Sequence, residues 1–192
     1  MLRFPLLTLP SQFGPKDLPC ELRTRSGYVC TVRALQKRDA PALAVFFRTH
    51  SRETLLRRYG YLPSDLTLER AADLVAIDET RQAALAITEG RGATKRIVAV
   101  GRFNAVDDRR SAEVALVVHE ERRRTGMATV LLEALAAMAR ARGIERFTAQ
   151  TLADNFEMLS IFIQHGGRVR TIEGTDGIEV VMPLAPDPSA GS

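Results

Sequence analysis

The sequence is poor in the residues that bind metal ions or form disulfide bonds. Its 192 residues include two cysteines and three histidines. Cys20 and Cys30 match neither a metal-binding nor a redox-active spacing, so we expect two reduced thiols in a cytoplasmic protein. His50, His119 and His165 lie far apart in the chain and match no metal-ligand spacing. The sequence therefore predicts no metal site.

Long hydrophobic runs are also missing. No apolar stretch approaches the roughly 20 residues needed to cross a bilayer. Residues 1–10 are apolar, but they are too few and too interrupted by proline for a signal peptide. Hydrophobic residues make up 45% of the chain and charged residues 26%, as in a soluble globular protein. We therefore expect one soluble, cytoplasmic domain with no membrane partner.

The chain carries no strong excess of charge and no pattern typical of nucleic-acid binding. It has 27 lysines and arginines against 23 aspartates and glutamates, a net charge of +4. The arginines are scattered, and aromatic residues that could stack on bases do not alternate with them. An anionic small molecule explains the one local arginine cluster better than a nucleic acid does.

That cluster belongs to the most informative segment of the chain, residues 117–129. An apolar, β-branched run ends, a turn with Arg122, Arg123 and Arg124 follows, and a helical pattern begins at Gly126. The first N–H groups of a helix lack partners within the helix, and the helix dipole adds positive charge there. Gly126 and Ala128 leave room for a phosphate to approach the backbone. The segment therefore predicts a pyrophosphate-binding turn.

The glycine pattern matches neither the dinucleotide-binding nor the P-loop fingerprint. Residues 123–128 instead resemble motif A of the GNAT superfamily of N-acetyltransferases, (Gln/Arg)-x-x-Gly-x-(Gly/Ala). This resemblance implies that the turn binds the pyrophosphate of acetyl-CoA and that the strand over 112–118 pairs with the pantetheine arm. The residues implied to bind acetyl-CoA are Leu116, Val117, Val118, Arg123, Arg124, Thr125, Gly126, Met127, Ala128, Thr129 and Asn155.

The order of predicted elements favours an α/β (α+β) fold, a mixed central sheet flanked by helices, which is also the order of the GNAT fold. Strands are predicted over residues 21–24, 28–33, 83–88, 96–103, 112–118, 146–152, 168–172 and 178–182. Helices are predicted over 126–142 and 155–165, and after the N-caps Asp39, Ser51 and Thr67, the last reaching Ile77. We expect an irregular arm over 1–19, a single GNAT domain over 20–185 and a flexible tail over 186–192.

A second resemblance narrows the family. The segment Ser51-Arg52-Glu53-Thr54, followed by Arg58-Tyr59, is similar to the Ser-x-Glu-(Ser/Thr) and Arg-Phe segments of bacterial protein lysine acetyltransferases. In those enzymes a glutamate on the central strand serves as general base, which implies that role for Glu113. The alternative is that Glu113 is a surface residue of a strand edge. Asn155 is expected to cap the last helix and to contact CoA as well.

The last helix departs from the family at one position. Many GNAT enzymes carry a tyrosine that protonates the leaving thiolate where this chain has Phe162. We expect Phe162 to pack in the core, which leaves the thiolate to water or another donor.

We interpret the chain as an acetyl-CoA-dependent N-acetyltransferase that acts by direct transfer to a primary amine. Among possible acceptors, a protein lysine is the one that this interpretation favours. One alternative is a small-molecule amine acetyltransferase whose pocket is built from residues 48–80. Another is a non-catalytic acyl-CoA-binding module, which Phe162 favours. The resemblance is also compatible with a homodimer formed through the late strands.

Overall fold

A computed structural model describes residues 13–54, 67–90, 92, 95–106, 110–175 and 177–184. Eight strands are β1 (Cys20–Arg23), β2 (Val29–Ala34), β3 (Gln82–Glu89), β4 (Arg96–Ala105), β5 (Ser111–Val118), β6 (Arg146–Leu152), β7 (Arg168–Thr171) and β8 (Gly177–Pro183). The α-helices whose bounds lie within the described residues are α1 (Ala40–Arg48), α2 (Leu68–Val75), α3 (Met127–Arg140) and α4 (Phe156–Gln164). The predicted hairpins over β1–β2 and β7–β8 are confirmed.

The strands form one mixed sheet in the order β1-β2-β3-β4-β5-β6-β8-β7. Only β5 and β6 are parallel, because α3 connects them and returns the chain to the same end of the sheet. All other neighbouring strands are antiparallel. The predicted mixed sheet flanked by helices is therefore confirmed.

Two apolar layers cover opposite faces of the sheet. On one face α1 and α2 bury residues such as Leu43 and Phe46 against β3 and β4. On the other face α3 is buried nearly all round, because the sheet, α4 and the segment that begins at Phe13 all pack around it. Phe13 is only 2% exposed. The last part of the predicted arm thus packs against the core, while residues 1–12 and 185–192 lie outside the described residues.

Helix boundaries follow the predicted caps with small differences. Thr67 caps α2 by accepting a hydrogen bond from the Arg70 N–H (3.2 Å), but α2 ends at Val75, two residues before the predicted end. Asp39 precedes α1 as predicted, yet its carboxylate does not cap that helix. It instead binds the Arg33 guanidinium (2.6 Å). Ser51 accepts from the Thr54 N–H (3.2 Å), and the predicted continuation of that helix lies outside the described residues.

An ion pair between His165 and the buried Glu133 connects the end of α4 with α3. His165 Nε2 donates to Glu133 on α3 (3.1 Å), and His165 Nδ1 faces the Ile161 carbonyl oxygen (2.7 Å). Both ring nitrogens therefore face acceptors, which suits the doubly protonated imidazolium. The hydrogen bond to Glu133 raises the pKa of His165 above its ordinary value of 6.5. The pair thus favours a charged histidine between α3 and the end of α4.

This pair predicts a pH-dependent contribution to stability. A histidine whose pKa is raised by folding stabilises the fold below its unfolded pKa, and that contribution is lost as the pH rises through its folded pKa. We expect the loss of unfolding free energy caused by His165→Gln to be largest at about pH 5.5 and to shrink by about pH 8.5. Urea unfolding of both proteins across this range measures it. A loss that does not change with pH would contradict the charged pair.

Candidate active site

A deep cleft opens where β5 and β6 stop pairing. The two strands are hydrogen-bonded only from Ser111–Arg146 to Glu113–Thr148, although β5 continues to Val118 and β6 to Leu152. Because the strands then diverge, their facing backbone groups no longer pair with each other and can bind a ligand between them. The resulting β5–β6 cleft has a volume of about 1170 Å³. One wall is β5 with the segment after it, and the other is β6 with α4 and residues near the β7–β8 turn.

The basic turn, residues 119–126, lies at one end of this cleft and leads into α3. Gly126 precedes the helix with a left-handed φ of +86°, and the first helical hydrogen bond runs from the Val130 N–H to the Gly126 carbonyl oxygen (3.1 Å). The N–H groups of Met127, Ala128 and Thr129 therefore have no carbonyl partner within the helix. With the positive end of the α3 dipole, they form a site suited to an anion.

The structure gives a further reason for glycine at position 126. A Cβ atom there would lie 3.0 Å from the Thr24 Cβ atom in the β1–β2 hairpin, and φ is left-handed. Thr125 anchors the turn to the same hairpin, because its carbonyl oxygen accepts a hydrogen bond from Ser26 Oγ (2.7 Å). The Thr125 hydroxyl donates back to the Arg122 carbonyl oxygen (2.6 Å). The turn is thus held in place by the hairpin behind it.

The three consecutive arginines of the basic turn have different partners. Arg122 binds Glu89 on β3 (2.7 Å), and Tyr28 donates a hydrogen bond to the same carboxylate. Burial alone would raise the pKa of Glu89, but the hydrogen bonds from Arg122 and Tyr28 outweigh it and lower that pKa. Arg124 is 88% exposed and reaches Glu157 on α4 (3.3 Å). Arg122 therefore anchors the turn to the sheet, whereas Arg124 lies at the rim of the cleft.

Arg123 belongs to a polar network that sequence reasoning did not find. Its guanidinium donates to Thr54 Oγ1 (2.5 Å), and the Thr54 hydroxyl donates to Glu120 (2.5 Å). Glu120 also accepts from the Ser51 N–H (2.8 Å). Hydrogen bonds from Ser51 and Thr54 lower the pKa of Glu120 to about 2. The Ser51–Thr54 segment noted in the sequence thus binds the basic turn.

Glu113 lies at the other end of the cleft, at the last position where β5 pairs with β6. Alternate residues of β5, namely Ala112, Val114 and Leu116, pack in the core on the α3 side. Glu113, Ala115 and Val117 therefore point to the opposite face of the sheet, which we call the Glu113 face. The Glu113 side chain is exposed on this face.

The second wall of the cleft contains Asn155 and Phe162. The Asn155 side chain accepts from the Met158 N–H at the start of α4 (3.5 Å) and donates to Thr151 Oγ1 (2.9 Å). Its predicted capping role is confirmed, and it lines the cleft. Phe162 is 2% exposed and packs in the core as predicted, although one side of it also borders the cleft.

The structure brings together all but one of the residues predicted to form the site. Lining the cleft are Glu113, Leu116, Val117, Val118, Arg123, Arg124, Gly126, Met127, Ala128, Thr129 and Asn155. Thr125 is not among the lining residues, because its side chain turns back towards Arg122. The second wall also contains residues that the sequence did not indicate, including Ala149–Leu152, Ile172 and Thr175. Across the described residues, no group of three or more His, Cys, Asp or Glu side chains could hold a metal ion.

A family model for the acetyltransferase (GNAT) domain matches residues 30–168, well over half of the chain. The matched range contains the basic turn, both cleft strands and α4. The chain belongs to the GNAT family of acetyltransferases. It is an acetyl-CoA-dependent N-acetyltransferase, and the anion site and the diverging strands fit that co-substrate.

Solved structures share this fold. The GNAT domain of S. lividans PAT is 26% identical with a TM-score of 0.77, and the match covers 85% of this chain and 96% of that one. A cAMP-binding acyltransferase from Mycobacterium smegmatis is 21% identical with a TM-score of 0.62, over 97% of this chain and 57% of that one. The Salmonella typhimurium protein yncA, solved with its cofactor acetyl-CoA, is 18% identical with a TM-score of 0.59, over 79% and 90% of the two chains. None of the helices described in this GNAT chain is long and apolar enough to cross a membrane.

Proposed function

We propose that this acetyltransferase transfers the acetyl group of acetyl-CoA to the ε-amino group of a protein lysine. The observation that carries the proposal is the arrangement of the β5–β6 cleft, which has an anion site at one end and Glu113 at the other. In this arrangement the N–H groups at the start of α3 and Arg123 bind the pyrophosphate. The pantetheine arm then lies along the unpaired edge of β5, where Leu116, Val117 and Val118 offer backbone partners.

Glu113 acts on the amine from the Glu113 face of the sheet, which is opposite to the face that α3 covers. The carboxylate accepts a proton from the ammonium group, directly or through a water molecule. The free amine nitrogen attacks the thioester carbonyl carbon. The nitrogen then loses its second proton to water, and the tetrahedral intermediate collapses to the amide with cleavage of the C–S bond. Phe162 has no proton to give, so CoA leaves as a thiolate and takes its proton from water.

A covalent acetyl-cysteine intermediate does not fit the structure. Cys20 and Cys30 lie on β1 and β2, and neither lines the cleft. Burial raises the pKa of Cys20 above its ordinary value and the pKa of Cys30 to about 11. Both thiols therefore stay protonated and poorly nucleophilic at neutral pH. Direct transfer between the two bound substrates is the mechanism that the site supports.

A protein acceptor is supported by the exposure of Glu113 on an open face of the sheet and by the similarity to the GNAT domain of S. lividans PAT. The test is thiol release from acetyl-CoA with lysine-containing proteins and peptides, polyamines, aminoglycosides and free amino acids, with mass spectrometry of the products. We expect thiol release with the proteins and peptides, and acetyl groups on their lysines. Turnover with a small amine alone would indicate a small-molecule enzyme. Binding of acetyl-CoA without any turnover would indicate a non-catalytic acyl-CoA-binding module.

A further inference from the structure

A row of directly opposed residues crosses six strands at the level of Glu113. On one side of Glu113 the row continues to Asn104 on β4 and Gln82 on β3. On the other side it runs through Thr148 on β6 and Val181 on β8 to Arg168 on β7. Because directly opposed residues point to the same side of a sheet, all of these side chains lie on the Glu113 face.

This row is not covered by α1 and α2. Those helices bury a separate set of residues on the same face, which includes Ala84, Val100 and Val117. Asn104, Glu113 and Arg168 are exposed, and Thr148 and Val181 are half-buried. Val181, the apolar residue of the row, belongs to neither apolar cluster. In the part of the chain that the structure describes, a partly exposed and mostly polar strip therefore extends from Glu113 to the outer strand β7.

The far end of this strip is basic. Arg168 and Arg170 alternate along β7 on the Glu113 face, with Glu179 of β8 as the acidic residue opposite Arg170. Both arginines are exposed, and within the described residues neither guanidinium takes part in a salt bridge. Exposed arginines in this state can bind carboxylates of another molecule through paired hydrogen bonds.

The spacing of the strands sets how far this basic end lies from Glu113. Arg168 is three strands away from Glu113, through β6 and β8. At about 4.8 Å per strand, the backbone positions are separated by roughly 14 Å. An extended peptide advances about 3.4 Å per residue, so roughly four residues span this distance. A small amine bound at Glu113 would not reach these arginines.

We propose that the acceptor protein binds across the Glu113 face in an extended conformation, with an acidic residue about four positions from the acceptor lysine bound by Arg168 and Arg170. This inference rests on the proposed function and adds a preference among protein acceptors. The lysine lies at Glu113, and Thr148 and Val181 lie beneath the residues between it and the acidic position. The complementary charges at the two ends orient the segment across the strands.

The experiment compares three peptides that each contain one lysine. The residues four positions away on both sides of that lysine are glutamate, glutamine or arginine. We expect kcat/KM of the wild-type chain to be about fivefold higher for the glutamate peptide than for the glutamine peptide, as one exposed ion pair would give. In the double variant Arg168→Glu/Arg170→Glu the order should reverse, so that the arginine-flanked peptide is preferred. The KM for acetyl-CoA should not change, because these arginines do not line the cleft.

Arg23→Glu is the matched control, since Arg23 is exposed on β1 at the opposite edge of the sheet. It should keep the wild-type preference. Equal kcat/KM for the three peptides, or a preference for glutamate that survives in the double variant, would overturn the docking inference and leave the proposed function intact. Failure of the wild-type chain to acetylate any peptide while it acetylates small amines would overturn both.

Discussion

Replacement of Glu113 by glutamine is expected to lower kcat by about 100-fold or more, the usual range for loss of a general base. The amide keeps the shape of the side chain and its ability to form hydrogen bonds, but it cannot accept the proton of the acceptor ammonium group. Affinity for acetyl-CoA should stay close to that of the wild type, because the anion site lies at the other end of the cleft. Steady-state kinetics and calorimetric titration with acetyl-CoA measure the two quantities.

The pH dependence separates the loss of a base from a general disturbance of the site. The rate of Glu113→Gln should rise with pH relative to the wild-type rate, because more of the amine arrives already deprotonated. The control is Glu179→Gln, the same type of substitution on β8, where Glu179 also lies on the Glu113 face. This variant should keep the wild-type kcat with a lysine peptide that has no charged residue at the flanking positions. Full activity of Glu113→Gln with an unshifted pH profile would remove Glu113 from the mechanism.

Gly126→Ala is expected to weaken acetyl-CoA binding by on the order of tenfold or more. The new Cβ atom would lie 3.0 Å from Thr24 Cβ, and an alanine at φ +86° is strained. To relieve both, the basic turn must move away from the β1–β2 hairpin, which displaces the first N–H groups of α3. Each hydrogen bond to a charged phosphate is worth roughly 1.5–3 kcal/mol, and about 1.4 kcal/mol is a factor of ten in affinity.

The other end of α3 offers a matched control. Gly143 also has a left-handed φ of +75°, but a Cβ atom there would meet nothing within 4 Å. Gly143→Ala should therefore lower the free energy of unfolding by about 1–2 kcal/mol and leave the Kd for acetyl-CoA unchanged. Calorimetric titration and urea unfolding of both variants distinguish the cases. If the two variants bound acetyl-CoA equally well, the contact of Gly126 with Thr24 would have no role in shaping the anion site.

Local elements of this fold could be predicted because their signals lie within a few residues. The bounds of β6, Arg146–Leu152, are those that the apolar alternation indicates. Thr67 and Asn155 cap their helices because a short polar side chain before an apolar run can bind the first N–H groups. Asp39 had the same local pattern, but Arg33 on the neighbouring strand binds its carboxylate instead. A short polar residue before an apolar run therefore predicts where a helix starts better than it predicts which group the polar side chain binds.

The anion site could be predicted in outline because the strand, the basic turn and α3 are consecutive in the sequence. The partners of the individual arginines could not. Arg122 binds Glu89 and Arg123 binds Thr54, pairs separated by 33 and 69 residues. Such contacts depend on which distant segments become neighbours in the fold, and a charge run alone does not encode this. The same holds for the second wall of the cleft, which forms only because β6 diverges from β5.

A crystal structure of this chain with acetyl-CoA tests the central claim most directly. We expect the pyrophosphate oxygens to accept hydrogen bonds from the N–H groups at the start of α3, beside Arg123. We also expect the thioester to lie between β5 and β6 beyond the Glu113–Thr148 pair, with its carbonyl carbon accessible from the Glu113 face. A pyrophosphate bound away from the basic turn, or a thioester outside the β5–β6 cleft, would contradict the assignment of this cleft as the acetyl-CoA site.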